Sequence, residues 1–177
     1  GVHARGQVLS FRTNSVFKPE TYIQGLNYYL PQDIAVKASY KVKPDFNVQR
    51  EAISRSYQYL IFNNATRSPL KRAYTYQVKR ELDIEVMNQA SQILLGKHDL
   101  ASFVTDFSHS VIKSTFKEIY ESQMERKGDL IIFNITANSF LPHQVRNTVG
   151  TLIRVGLGKI GVDDFKNIME AKKPGLA

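Results

Sequence analysis

Residues 138–156 read NSFLPHQVRNTVGTLIRVG, the end of a strand running straight into a helix. Just upstream, Ile131, Phe133, Ile135 and Ala137 alternate with Ile132, Asn134 and Thr136, the period-two signature of a strand. Pro142 suits the first turn of the following helix, where its missing N–H costs nothing. Val145, Val149, Leu152, Ile153 and Gly156 then recur at i, i+4, i+7, i+8 and i+11, one apolar helical face, and Gly156 with Gly158 supplies the stop. Arg146 and Asn147 lie beside that face, one turn in from the helix start. An arginine on such a rim reaches into a cleft while its stem packs on the core. On spacing alone the better reading is a surface arginine on an amphipathic helix.

The 177 residues suffice for one ordinary domain or two small ones. Apolar content of 42% and charged content of 23% are those of a globular chain. No apolar run is long enough to span a bilayer, so no membrane association is expected. The absence of cysteine excludes disulfides, thiol catalysis and Cys-ligated zinc, and fits a reducing compartment such as the cytoplasm. A net charge of +8 favours a polyanionic partner, although a basic protein with a solvated surface has the same charge.

Residues 7–13 and 34–42 are expected to be strands, the second with a lysine-lined outer face. Between them, a helix opens at Pro19 and stops at Pro31. Pro44-Asp45 marks the boundary between an amino-terminal subdomain, residues 1–44, and a carboxy-terminal one, residues 45–177. Residues 52–62 form the next strand, with Arg55, Tyr57, Tyr59 and Ile61 on one face. Residues 63–80 mix Arg67, Lys71, Arg72, Lys79 and Arg80 with Tyr74 and Tyr76. Cations for phosphates and rings for bases suit looped RNA; the tyrosines read equally as strand core. Asp83 caps a helix that runs to Leu95. A loop or short strand follows at 98–104, then a hairpin of strands 113–125 and 130–140 turning at Lys127-Gly128-Asp129. Asp163 is the expected cap of a last short helix. The whole reads as an α+β fold, helices packed on an antiparallel or mixed sheet.

Two tempting motifs fail on context. Residues 156–161 match G-x-G-x-x-G, but follow a helix where the dinucleotide motif requires a strand, so they read as a cap and turn. The four histidines show no H-x-x-x-H pair, and no metal is expected.

Three segments resemble the tRNA pseudouridine synthase A family. Residues 1–8, GVHARGQV, are similar to the end of its R-T-D-x-G-V-H-A-x-x-Q-V pattern; residues 46–59, FNVQREAISRSYQY, to F-x-A-R-x-x-A-x-x-R-x-Y-x-Y; and residues 138–156 to F-L-x-x-M-V-R-N-x-V-G-x-L. They stand in the family's order across most of the chain. Gln49, Lys117 and Pro142 depart from the usual residues, which touches RNA contacts and fine positioning rather than the fold.

The resemblance implies a fold of two related subdomains and an enzyme that isomerises uridine in the anticodon stem-loop of tRNA, as a homodimer, without cofactor. Arg146 matches the catalytic arginine and Tyr57 the active-site tyrosine; Arg5, Arg55, His3, His143 and Asn147 are candidate RNA contacts. The family's nucleophile is the aspartate of R-T-D, which would precede Gly1, and a further strand follows the family's equivalent of residues 172–177. The chain is thus expected to be an inactive fragment missing both ends. The alternatives are a non-catalytic RNA-binding module and a basic structural protein.

Overall fold

The computed structural model describes residues 2–105 and 114–177. The chain divides into two compact units, Gly1–Ala52 and Ile53–Ala177, and Pro44-Asp45 lies within the first.

In the first unit, α1 (Pro19–Tyr29) begins on its proline, and the Leu30 N–H closes its last turn on the Leu26 carbonyl at 2.9 Å. No α1 residue is buried. The Asn27 amide donates to the Val36 carbonyl at 2.9 Å and its oxygen accepts the Val36 N–H at 2.7 Å, side chain imitating a strand partner. A four-residue helix, α2 (Val48–Glu51), is capped by the Asn47 side chain. The strands expected at 7–13 and 34–42 do not form: among the described residues this unit has no strand. Their alternation is real, but a strand exists only where backbone donors and acceptors meet a neighbouring chain.

The second unit is built on a five-stranded sheet in the order β2-β1-β5-β4-β3. Its strands are β1 (Arg55–Asn63), β2 (Tyr76–Val78), β3 (Gly96–Asp99), β4 (Phe116–Lys127) and β5 (Leu130–Ala137). β1 and β2 run parallel and every other pair antiparallel, so the sheet is mixed and the fold α+β. The central register places Arg55 opposite Ala137, Tyr57 opposite Ile135 and Tyr59 opposite Phe133. On this face Ile61, Ile131, Phe133, Ile135 and Ala137 join the core with residues from α3 (Ile84–Gln92), α4 (Gln144–Gly156) and α5 (Val162–Glu170). The opposite face is tied by polar pairs: Ser56 to Thr136 at 2.9 Å and Gln58 to Asn134 at 3.0 Å.

The β4–β5 hairpin closes with two residues between Lys127 and Leu130; Gly128, at φ 60°, takes the first of them, as a type II′ turn requires. The expected start of its first strand, Lys113, lies outside the described residues. Asp83 caps α3 by accepting the Glu85 and Val86 N–H groups at 3.0 and 3.1 Å.

Two capping expectations are corrected. Pro142 stands ahead of α4, not in its first turn. Leu141 to Gln144 close a turn at 3.2 Å, with Pro142 at its second position and His143 at φ 59° in its third, the arrangement of a type II turn. The Gln144 side-chain oxygen accepts the Leu141 N–H at 2.8 Å and locks the entry to the helix. Asp163 does not cap α5; Gly161 is the cap residue, and Asp164 reaches back to its N–H at 2.8 Å. α4 ends as the glycines foretell, with Lys159 bonded back to the Arg154 carbonyl, Gly158 to that of Val155, and Gly158 at φ 66°.

At Gly156 the end of α4 packs directly against Met87 of α3. A Cβ there would run into the buried Met87 side chain and crowd Leu82. Gly156→Ala is therefore expected to destabilise the protein by about 1–3 kcal/mol, the usual cost of an extra methyl group in a filled core. A urea melt checks it, and an unchanged or raised midpoint would show that Met87 has room to move aside.

Candidate active-site cleft

β1 alternates so that Arg55, Tyr57 and Tyr59 stand on the helix-bearing side of the sheet. The chain leaves β5 at Ala137, crosses through Asn138 and Phe140, and enters α4. The Asn138 oxygen accepts N–H groups from Ser139 at 2.7 Å and Glu118 at 3.1 Å, while its carbonyl accepts Arg55 Nη1 at 2.8 Å. Arg55 thus ties the first residue of β1 to the junction that aims α4. Tyr57, 39% exposed, meets the Phe140 ring edge-on at 5.1 Å and 81°.

Arg146 sits on the exposed side of α4, third in the helix. It lines a cleft of about 420 Å³ with Tyr59, Tyr76, Gly150, Arg154 and Lys159, floored by apolar residues of α4. Burial pushes the Tyr59 hydroxyl pKa up; the Arg146 charge opposes that shift and Tyr76 adds to it. The phenol therefore stays protonated near neutral pH. Lys117 is pushed the other way: burial lowers its pKa first and the Arg55 charge second.

The expected site residues fall into four groups. Arg146 shares its cleft with Tyr59, and Tyr57 stands two residues before Tyr59 on the same strand face. Arg55 and Asn147 have work inside the fold: the Asn147 amide donates to the Phe103 carbonyl at 2.8 Å and approaches the Thr105 hydroxyl at 3.3 Å. His143 is exposed at the left-handed turn before α4. His3 and Arg5 belong to the first unit and are exposed, and the Arg5 carbonyl accepts the Lys37 ammonium at 2.8 Å.

Tyr59 and Tyr76 were not among the expected site residues. Tyr59 was legible in principle, because it shares the alternation of Tyr57. Tyr76 was hidden in the basic–aromatic tract, and only its parallel pairing with Ile61 brings it to the cleft. Among the described residues no cluster of three or more His, Asp or Glu side chains is placed to hold a metal, and no helix is long and apolar enough to cross a membrane.

A family model described as tRNA pseudouridine synthase matches residues 90–177. A protein of Francisella tularensis subsp. holarctica named tRNA pseudouridine synthase A is 39% identical over 172 residues, covering 97% of this chain and 66% of the relative. A protein of the same name from Methylacidiphilum infernorum is 36% identical, covering 98% of this chain and 68% of the relative. The chain spans about two thirds of the length of the curated relatives it matches. With Arg55 to Tyr59 of the second matching segment and all of residues 138–156 in one α+β unit, the chain belongs to the tRNA pseudouridine synthase A family.

Proposed function

We propose that the protein isomerises uridine to pseudouridine in the anticodon stem-loop of tRNA. The observation that carries this reading is the position of Arg146, in one cleft with Tyr59 and on the side of the sheet that bears Tyr57. Relatives similar along nearly the whole chain are named tRNA pseudouridine synthase A, which supports it.

In the reaction the N1–C1′ bond breaks, the uracil turns, C5 joins C1′, the C5 proton leaves and N1 gains one. The target base must first leave its stack, at a cost of a few kcal/mol. The Tyr57 ring, already set by Phe140, offers a replacement stacking surface. Arg146 supplies a planar fork that orients a carboxylate and keeps it ionised. That carboxylate is the aspartate of the family's R-T-D segment, which the 177 residues do not contain. Arg5, His3 and His143 are proposed RNA contacts; Arg55 and Asn147 act chiefly by holding the junction and α4 in place. The reading includes a homodimer, for which the exposed rings of Tyr28, Tyr29 and Tyr40 offer apolar surface, and a cytoplasmic setting.

Tritium release from C5-labelled tRNA tests the proposal. The 177-residue chain alone is expected to release none, because an arginine is always protonated and an unactivated phenol titrates near pH ~10. A form extended upstream through R-T-D and completed downstream is expected to turn over. Release by the chain alone would place the nucleophile elsewhere, and a folded extended form that binds RNA without turnover would leave the binding-module reading ahead.

In the active form, Arg146→Lys is expected to lower kcat by about 100-fold, since a point charge cannot reproduce a bidentate fork. RNA affinity and its salt dependence should change little, because the charge is kept. A proportional loss of affinity instead would make Arg146 a binding group only.

A further inference from the structure

The outer stripe of α4 carries two local costs. Gly150 sits in the helix interior, where glycine is less stable than alanine. Unlike Gly156 it has no packing reason to be there: a Cβ at Gly150 would meet nothing within 4 Å. Arg146 occupies the first turn of the helix, the end at which the macrodipole disfavours a cation, and that turn contains no acid. α5, by contrast, opens on Asp163 and Asp164.

The two costs fall on one line. Arg146, Gly150 and Arg154 follow at i, i+4 and i+8, and Lys159 continues past the helix end; all four line the cleft with Tyr59 and Tyr76, and no acidic residue does. Among the described residues none of the three cations has an ion-pair partner. An ordinary solvated helix face intersperses opposite charges four residues apart. This one places a bare backbone between two arginines, which opens a trough for a ligand that is anionic along its length.

We propose that the groove running from Arg146 over Gly150 to Arg154 and Lys159 holds the sugar–phosphate backbone of the RNA strand flanking the target nucleotide. This rests on the function proposed above and extends it from the reacting base to the path of the strand. Arg146 marks the end of the groove at the reacting nucleotide, Arg154 and Lys159 contact phosphates of the flanking strand, and Gly150 lets the backbone lie close to the helix. The half-exposed Tyr76 ring, 54% accessible, offers a surface for a sugar or an unstacked base. A lone phosphate or a free nucleotide would use one cation and leave the rest of the trough empty.

The test is fluorescence anisotropy of a labelled anticodon stem-loop RNA over a range of salt, with thermal melts of the same samples. Arg154→Gln and Lys159→Gln are each expected to weaken binding and to reduce the steepness of the log–log salt dependence by about 0.7–0.9. Gly150→Gln is expected to raise the melting temperature, because an interior glycine is removed, while weakening RNA binding tenfold or more. A purely structural glycine could not give that opposition of signs. If the protein binds the stem-loop but these variants match it in affinity and salt slope, the groove proposal is overturned and the function reading stands. If inorganic phosphate or uridine monophosphate displaces the RNA at comparable concentration, the site takes single anions and the strand path is overturned. If the folded protein does not bind the stem-loop at all, both readings fall together.

Discussion

The cleft depends on the antiparallel register between β1 and β5. Because side chains alternate with a period of two, a slip of one residue would carry Arg55, Tyr57 and Tyr59 to the other face of the sheet. Both faces oppose that slip. On one, Ile61, Ile131, Phe133 and Ile135 are buried under the helices; on the other, Ser56 pairs with Thr136 and Gln58 with Asn134. A slipped register would put these hydroxyls and amides into the core unpaired, at roughly 1–3 kcal/mol for each unsatisfied group. The same pairing delivers β5 to Asn138, so one register sets both the aromatic side of the cleft and the departure point of the helix that carries Arg146.

From that departure point the helix is held at several places by interactions of different kinds. Arg55 and Asn138 fix the junction, Gln144 locks the turn after it, Asn147 ties the first turn to Phe103, and Gly156 lets the last turn close on Met87. None of these residues need touch a ligand to determine where Arg146 points. In segment 138–156, Asn138, Gln144, Asn147 and Gly156 therefore hold α4 in place, and replacing them would move Arg146 through geometry.

Much of the second unit was legible from residue patterns. β5, the β4–β5 hairpin and the capped helix α3 follow from alternation, a glycine turn and an N-cap aspartate, all local signals. The details that escaped were non-local or concerned cap geometry. Pro142 fits a first helical turn and a type II turn equally well, and only the left-handed His143 decides between them. Asp163 and Asp164 are equivalent as a sequence signal, but only Asp164 is placed to reach back to Gly161. Tyr76 enters the cleft through a parallel pairing that no nearby residue announces. In the first unit the alternation at 34–42 was read as a strand, yet alternation records only which residues would share a face once a partner chain is present.

Most of the local rules that the second unit breaks fall on or near one helix, α4. His143 holds a left-handed conformation, Arg146 opposes the helix dipole, Gly150 weakens the interior, and Lys117 is pressed by burial and by Arg55. Elsewhere in the second unit the same devices are used mostly in the stabilising sense: acids open α5, Asp83 caps α3, and glycine takes the positive-φ positions at Gly128 and Gly158, with Lys172 at φ 52° after α5 the exception. Chains tolerate local inconsistency where it is compensated and where function requires it. Here the compensation is visible, in the core beneath α4 and the hydrogen bonds at its entry. What remains uncompensated within the described residues is the positive stripe itself, three cations facing a cleft without an acid. Under the proposed function the family's aspartate balances Arg146, and the RNA strand proposed for the groove balances Arg154 and Lys159.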